Sequence, residues 1–191
     1  MEIIRFSDIR PERWRNGGGV TREIARHPSN GEWDWRVSIA EVGSAGEFSA
    51  FPGMERVISV IDGELLVLTV DGAEHAMEKY RPFRFSGDSA SSSALPTGDI
   101  RDLNVIARTG AYKGYLSILE LSKKRAHPVF GGQLAILLEG KAAVSDGGEG
   151  TSEAIELGRY DAVVGSDQNN PEILGRGFVA IVSIDPVEET V

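Results

Sequence analysis

The chain has 191 residues, of which 41% are hydrophobic, and its 20 basic against 29 acidic side chains give a formal net charge of −9. Chains of this length and apolar content bury most of their surface in a core, so disordered and fibrous proteins are excluded. Because the sequence contains no cysteine, disulfides, thiolate metal sites and cysteine nucleophiles are excluded as well.

The sequence also limits the compartment and the partners that we expect. Its N-terminus lacks a basic segment followed by an apolar stretch, so we predict no secretory signal and a cytoplasmic protein. The apolar runs end far short of the roughly 18 to 20 residues of a membrane helix. An acidic chain repels phosphate backbones, and the longest basic run is Lys123–Arg125. We therefore expect neither a membrane nor a nucleic acid as partner.

Short apolar or alternating runs, bounded by glycine, asparagine, aspartate and proline, predict a mainly β protein. The clearest predicted strand is 33–39, in which apolar side chains occupy one face while Arg36 and Ser38 share the other. The remaining predicted strands, in chain order, are Val57–Ile61, Leu65–Val70, Leu103–Ala107, Tyr115–Leu121, Gln133–Leu138, Ala142–Val144, Ala162–Val164 and Phe178–Ile184.

Turn and loop signals separate these strands. Asp62-Gly63 and Asp71-Gly72 predict tight turns, and the serine-rich segment Gly87–Gly98 predicts a surface loop. The most distinctive stretch is 16–19, where three glycines follow an asparagine. Free backbone amides there suit an anion-binding lip, while Asn-Gly equally favours an ordinary hairpin turn. A nucleotide-binding loop is excluded, because the alternating residues 20–25 predict a strand where such a loop needs a helix.

Glycines recur at similar intervals in the two halves of the chain. Gly63 and Gly87 are 24 residues apart, and Gly140 and Gly165 are 25 residues apart, with predicted strands between them. Such a repeat is typical of two packed barrels or jelly rolls, in which closure removes exposed strand edges. We expect an N-terminal barrel over residues 1–110 and a C-terminal barrel over residues 111–191, packed as one compact unit. An edge left open would allow a homodimer.

Polar side chains recur two residues apart on three predicted strands, and a further arginine precedes another strand. Such faces lie in water or line an enclosed cavity, and periodicity alone leaves both open. A buried guanidinium needs carboxylate partners, which Glu23 and Asp102 would supply to Arg36. The residues concerned are Thr21 and Glu23, Arg36 and Ser38, Asp102 and Asn104, and Arg56.

The histidine pattern argues against a metal site. Barrel enzymes that hold a metal commonly place two histidines two residues apart on one strand. The histidines here, His27, His75 and His127, are isolated from one another and lie beside predicted turns. No Gly-x-Ser-x-Gly elbow is present either. We therefore expect no metal, no cofactor and no serine triad.

Four motifs occur in order along the chain: W-R-N-G-G-G-x-T-x-E over 14–23, W-R-V-S-x-A over 35–40, G-x-F-S-x-F-x-G-x-x-R over 46–56 and D-x-N-V over 102–105. Together they resemble the HutD/Ves family, strongly over residues 1–110 and by the second β-module beyond. The resemblance implies a bicupin of two jelly-roll barrels. It also implies that the cavity is lined by Asn16, Glu23, Arg36, Ser38, Arg56, Asp102 and Asn104, to which the strand alternation adds Thr21.

The resemblance further implies metal-independent binding of a small anionic metabolite, such as formylglutamate or urocanate, that senses or modulates histidine degradation. Arg36 and Arg56 would then hold a carboxylate, for which arginine is well suited. Two alternatives remain. One is a metal-independent isomerase or hydrolase in which Glu23 or Asp102 acts as general base. The other is a structural or protein-binding double barrel whose cavity is filled by side chains.

Overall fold

The structure is a computed structural model that describes residues 1–147 and 153–188, and nearly all of its regular structure is β. A single turn of 3-10 helix covers Phe6–Asp8. The strands are β1 (Glu2–Ile4), β2 (Glu12–Arg13), β3 (Gly19–His27), β4 (Trp35–Val42), β5 (Gly46–Glu47), β6 (Met54–Asp62), β7 (Leu65–Val70), β8 (Ala73–Glu78), β9 (Phe83–Ser86), β10 (Ser91–Ala94), β11 (Ile100–Arg108), β12 (Tyr112–Leu121), β13 (His127–Pro128), β14 (Gln133–Asp146), β15 (Ile155–Leu157), β16 (Ala162–Val164) and β17 (Pro171–Pro186). The part of the chain that the structure describes contains no helix long and apolar enough to cross a membrane.

The strands form three sheets in two compact units. The N-terminal unit is built on Arg10–Gly114, and the C-terminal unit is built on Tyr115–Ile184 together with Met1–Ile9. The N-terminal unit contains a six-stranded sheet in the order β2-β3-β4-β11-β6-β9 and a four-stranded sheet in the order β5-β10-β7-β8. The third sheet follows the order β1-β16-β14-β17-β12, with β13 beside β17 and β15 beside β14. The predicted boundary at residue 110 stays a prediction.

The core of the N-terminal unit lies on the face of the six-stranded sheet that also carries the polar pairs. Ala40 and Ile58 of that sheet are buried in one cluster with Leu66 and Leu68 of the four-stranded sheet. The opposite face of the same sheet is buried too, as Val37 and other side chains show. A sheet buried on both faces explains why the polar side chains of its central strands are not in water.

The expectation of closed barrels is corrected by the strand orders. Each sheet is an open path, and among residues 1–147 and 153–188 no pairing joins the first strand of a path to its last. The hairpin between β7 and β8 turns at Asp71 and Gly72 with φ of 48° and 83°, which confirms the predicted tight turn. Gly63, with φ of 81°, likewise turns the chain between β6 and β7.

Two predicted elements differ from the structure. The segment Gly87–Gly98, predicted as a loop, contains β10, which pairs with both β5 and β7. Ser91 and Ser93 are buried on the inward face of this strand. Because that face consists of serines, the sequence lacks the alternation of apolar and polar residues that predicts a strand. The two strands predicted on either side of Gly140 form the single long strand β14, whose pairing with β17 continues through that glycine.

Candidate functional site

The centre of the six-stranded sheet places two arginines in one row. Ile106 of β11 is opposite Arg36 of β4 on one side and opposite Arg56 of β6 on the other. The Cα atoms of the two arginines are therefore separated by two strand spacings, roughly 10 Å. In the next row along the same face, Asn104 lies opposite Ser38. Alternation thus brings the polar pairs of β4 and β11 together with Arg56 on one surface.

This surface forms the floor of a cavity of about 490 Å³. Most of the residues that sequence analysis selected line it, namely Asn16, Thr21, Arg36, Ser38, Arg56, Asp102 and Asn104. Glu23 does not line the cavity. Its carboxylate lies 3.4 Å from Nε of Arg26, on a strand position opposite Ser38.

Arg56 is the most enclosed cation of the cavity, with an exposed fraction of 4%. Its Nη1 donates to the backbone oxygen of Ser49 at 3.3 Å, and its Nη2 donates to Oδ1 of Asn104 at 2.8 Å. Its guanidinium carbon lies 5.2 Å from the centre of the Phe51 ring and 4.9 Å from that of Phe85. Burial lowers the pKa of Arg56 to about 10, which leaves it charged at neutral pH. Its Nε is buried and has no hydrogen-bond partner in the part of the chain that the structure describes.

Asp102 is linked to Arg56 through an amide. The side chain of Asn104 donates from Nδ2 to Oδ1 of Asp102 while it accepts from Arg56. Asp102 is 1% exposed, and its Oδ2 has no hydrogen-bond partner among the described residues. Burial raises the pKa of this carboxyl to about 7, against the opposing effects of the Arg56 charge and the Asn104 hydrogen bond.

Arg36 is the second cation of the cavity floor, and its side chain is half-buried. Its guanidinium carbon lies 5.0 Å from the centre of the Trp33 ring and 5.4 Å from that of Phe51, and its buried Nε has no partner in the described chain. Burial lowers the pKa of Arg36 from its ordinary value, and the charges of Glu23 and Glu12 partly offset that effect. Of the two carboxylates predicted beside Arg36, Glu23 acts on it through its field, whereas the charge of Asp102 acts on Arg56. Neither forms an ion pair with Arg36 in the described ranges.

The glycine-rich stretch forms the hairpin between β2 and β3 at the rim. The amide of Gly17 donates to the backbone oxygen of Trp14, and the amide of Gly18 donates to Oδ1 of Asn16 at 3.0 Å. Since these amides are satisfied within the turn, the hairpin interpretation describes the stretch better than an anion-binding lip. The indole Nε1 of Trp14 donates to Oγ1 of Thr21 at 2.8 Å, which fixes the ring at the cavity wall.

Sequence analysis missed part of the lining. The rim carries further charges, and the wall opposite the sheet is aromatic; these residues are Glu12, Arg13, Arg15, Glu47, Phe48 and Phe51. The phenylalanines belong to the motif over 46–56, so the motif contained the signal, but an aromatic residue in a loop is ordinary by itself. The charged rim residues had no signal, because nothing in the sequence distinguishes them from a solvated face.

A second concavity of about 590 Å³ lies beside the glycine hairpin. Two of the acidic groups that line it, Glu41 and Asp62, are already paired with arginines. Arg101 lies 3.4 Å from the carboxylate of Asp62 and 3.8 Å from that of Glu41, and Arg22 donates to Glu41 as well. Paired, partly exposed charges offer little to a ligand. The described residues also contain no group of three or more histidine, aspartate or glutamate side chains that could hold a metal ion.

Comparison with known proteins identifies relatives that span most of the chain. The HutD family model matches residues 6–181. An uncharacterized 21.2 kDa protein from the hutC 3′ region of Pseudomonas putida is 32% identical over 178 residues, which cover 92% of this chain and 90% of that protein. The protein named Ves from Citrobacter koseri is 37% identical over 123 residues, or 63% of this chain; the match covers 64% of Ves, less than two thirds of its length.

Solved structures agree with these sequence relatives. HutD from Pseudomonas fluorescens SBW25 superimposes with a TM-score of 0.79 at 32% identity, covering 98% of this chain and 99% of that one. A cupin 2 conserved barrel domain protein from Leptotrichia buccalis has a TM-score of 0.59 at 10% identity over 97% of this chain and 96% of that one, which shows a cupin-like fold alone. The chain belongs to the HutD family.

Proposed function

We propose that the cavity binds a small anionic metabolite through its carboxylate, without a metal, and that this binding senses or modulates histidine degradation. The observation that carries the proposal is the pair Arg36 and Arg56, which share a row of the sheet and each keep a buried Nε–H without a partner among residues 1–147 and 153–188. A buried donor left unpaired is costly, and an incoming carboxylate satisfies it with a charge-assisted bond.

The charges around the cavity favour the same class of ligand. Its lining contains four arginines, Arg13, Arg15, Arg36 and Arg56, against Glu12, Glu47 and the buried Asp102. A small excess of positive charge at the cavity of an acidic protein attracts anions there more strongly than an average part of the surface does. The aromatic wall formed by Phe48 and Phe51 offers an apolar surface to the remainder of the ligand.

Formylglutamate and urocanate are the first ligands to examine, because the HutD family is linked to histidine utilisation. Both carry a carboxylate and enough apolar or planar surface to lie against the aromatic wall. A cytoplasmic location accompanies this proposal, since the degradation of an amino acid takes place there.

Isothermal titration calorimetry of the chelator-treated protein tests the proposal with formylglutamate, urocanate, histidine, glutamate and succinate. We expect one of the carboxylates from histidine degradation to bind selectively. At a concentration of about 100 times its Kd, this ligand should increase the free energy of unfolding by roughly 2.7 kcal/mol. Thermal unfolding should then show a rise in Tm of about 5 to 11 °C. Arg36→Met and Arg56→Met should each weaken binding by roughly 10- to 100-fold.

Arg81→Met is the matched control, because Arg81 is exposed and lies outside the cavity lining. Its affinity should equal that of the wild type. Equal binding by Arg56→Met and by the wild type would contradict the assigned role of the arginine pair. Absence of binding by every carboxylate of the panel at millimolar concentration would reject the proposed function.

A metal-independent enzyme is the second candidate, and Asp102 is the observation that favours it. A carboxyl group with a pKa of about 7 is suited to general acid–base catalysis at neutral pH. Turnover of any member of the panel, abolished in Asp102→Asn while binding persists, would select the enzyme. The purely structural double barrel with a filled interior is the weakest alternative, since the cavity of about 490 Å³ leaves room for a ligand.

We also propose that the two compact units are two cupin-type modules of one bicupin, and that the protein forms a homodimer. Separate hydrophobic cores in the two units support the first part of this proposal. The open strand orders leave edges at which a second copy can pair, which supports the second. Light scattering of the purified protein tests the dimer, and a monomer at tens of micromolar would reject it.

A further inference from the structure

Asp102 is held with one carboxylate oxygen engaged and the other uncommitted. Oδ1 accepts the Nδ2–H of Asn104, whose orientation is fixed because its own Oδ1 accepts from Arg56 at 2.8 Å. Oδ2 is buried and has no hydrogen-bond partner among the described residues. The chain from Arg56 through Asn104 to Asp102 thus engages one oxygen and leaves the second without a partner in the described chain, in a side chain that lines the cavity.

Among the described residues, no cationic side chain forms an ion pair with Asp102. The residues opposite it on the neighbouring strands are Ala40 of β4 and Val60 of β6, both apolar. The charge that acts on it is that of Arg56, and burial outweighs this charge, so the pKa of the carboxyl is raised. The other ionisable groups that face the cavity around it are Glu12, Arg13, Arg15, Arg36 and Glu47.

An anionic ligand favours the neutral, protonated form of Asp102 over the ionised form. An ionised Asp102 would place a second negative charge beside a ligand carboxylate, within a buried site where repulsion is poorly screened. A neutral Asp102 instead presents an O–H donor, and an O–H bond to a carboxylate is among the stronger hydrogen bonds in proteins. The protonated form is therefore the one that binds.

We propose that Asp102 binds the ligand carboxylate as a neutral acid, donating its Oδ2–H, so that each binding event fixes one proton on Asp102. This inference rests on the proposed function, since it requires an anionic ligand in the cavity. The proton comes from solvent whenever Asp102 is ionised before binding. Asp102 is then a ligand-binding residue that favours ligands with a hydrogen-bond acceptor, such as a carboxylate. Asn104 is a positioning residue that directs Oδ2 toward the ligand.

The consequence is a binding affinity that decreases with rising pH. Below pH 6 the acid is already present, and affinity is constant. Above pH 7 the proton has to be supplied at binding, so Kd rises about tenfold per pH unit, or roughly 30-fold from pH 6.0 to 8.5. Proton uptake per ligand should be about one half at pH 7 and close to one at pH 8.5.

Titration calorimetry with formylglutamate at pH 6.0 to 8.5 measures both quantities. Neither carboxyl group of this ligand titrates in that range. Titrations at each pH in two buffers of different ionisation enthalpy, phosphate and Tris, give the number of protons taken up. We expect the stated rise of Kd and a buffer-dependent heat at pH 8.

Asp102→Asn supplies the decisive variant, because an amide keeps the acceptor for Asn104 and presents N–H where the acid presents O–H. It should bind formylglutamate with a Kd that is nearly independent of pH and with no proton uptake. Glu74→Gln, which removes an exposed carboxylate on β8 outside the cavity, should keep the pH profile of the wild type.

The outcomes separate this inference from the proposed function. Wild-type binding with a flat pH profile and no buffer-dependent heat would overturn the inference and leave the proposed function intact. An Asp102→Asn variant that keeps the wild-type rise of Kd would overturn it too. If neither formylglutamate nor another carboxylate of the panel binds at any pH from 6.0 to 8.5, the proposed function fails, and the inference fails with it.

Discussion

Arg36 and Arg56 lie opposite the same residue, Ile106, from the two strands that flank β11. Their guanidinium carbons also lie 5.4 and 5.2 Å from the centre of one ring, that of Phe51. A single aromatic side chain therefore carries two cations that would otherwise repel each other. The arrangement keeps both guanidinium groups at the cavity, where the proposed carboxylate would contact them.

The two arginines are held by different contacts, which indicates different roles in binding. Arg56 is anchored at Ser49 and Asn104 and is almost fully buried, so its position is fixed before a ligand arrives. Arg36 is held by the rings of Trp33 and Phe51. A preorganised cation contributes more to binding than a mobile one because less side-chain entropy is lost. We expect Arg56 to fix the carboxylate and Arg36 to close on it.

The first prediction concerns Phe51→Leu. Leucine fills much of the same volume but has no π face for the two guanidinium groups. Each contact of this kind contributes about 0.5 to 1 kcal/mol, so affinity for the carboxylate that binds wild type should fall roughly 5- to 30-fold. Titration calorimetry measures the affinity. Because Phe51 is only half-buried, Tm should change little.

Phe130→Leu is the control for this variant, since Phe130 is 47% exposed and lies outside the cavity lining. Its affinity should match the wild type. If Phe51→Leu binds as well as Phe130→Leu, the ring only covers the cavity and does not position the arginines.

The second prediction concerns stability and pH. Because the pKa of Asp102 is raised to about 7 in the fold, above its value of 3.8 in the unfolded chain, the native state holds an additional proton between these values. The stability that this proton contributes is complete at low pH and is lost as pH rises toward 7. Relative to Asp102→Asn, which has no such proton, wild type should lose about 2 to 3 kcal/mol of unfolding free energy between pH 5 and pH 8.

Urea unfolding of both proteins at half-unit intervals of pH, without ligand, measures this difference. Glu74→Gln serves as the control, and its stability should follow that of the wild type at every pH. Parallel curves for wild type and Asp102→Asn would show that Asp102 is ionised throughout this range, in contradiction to its burial.

The sequence predicts which polar side chains of the site share a strand face. Alternation along a strand is local, so it correctly paired Arg36 with Ser38 and Asp102 with Asn104. It did not show that β11 lies between β4 and β6, because that neighbourhood depends on pairings between residues that are 39 to 72 positions apart in the chain. The row that joins Arg36, Ile106 and Arg56 therefore required the structure.

The fold was readable wherever a strand had an apolar face. The strand Leu65–Val70 was predicted with the bounds that β7 has, since its side chains carry the hydrophobic signal. β10 was missed because its inward side chains are Ser91 and Ser93. β14 was divided at Gly140 because glycine favours turns in isolated sequence, whereas here it serves close pairing with β17.

The third prediction concerns this glycine. Gly140 has φ of 101° and is paired with Gly177, whose φ is 112°. A Cβ atom at Gly140 would lie 2.0 Å from the backbone oxygen of Arg176, a distance that no side chain adopts. Gly140→Ala should therefore destabilise the protein by about 3 kcal/mol or more, through both backbone strain and steric overlap between two strands.

Gly72→Ala separates the two causes, because Gly72 also has a positive φ, 83°, but has nothing within 4 Å of an added Cβ. It should cost only about 1 kcal/mol. Thermal and urea unfolding of the two variants measure the difference, to which the steric overlap at Gly140 is the main contribution. If Gly140→Ala and Gly72→Ala lower the free energy of unfolding equally, β14 and β17 can move apart at Gly140 at no cost. The close pairing of the two strands at that position would then not contribute to stability.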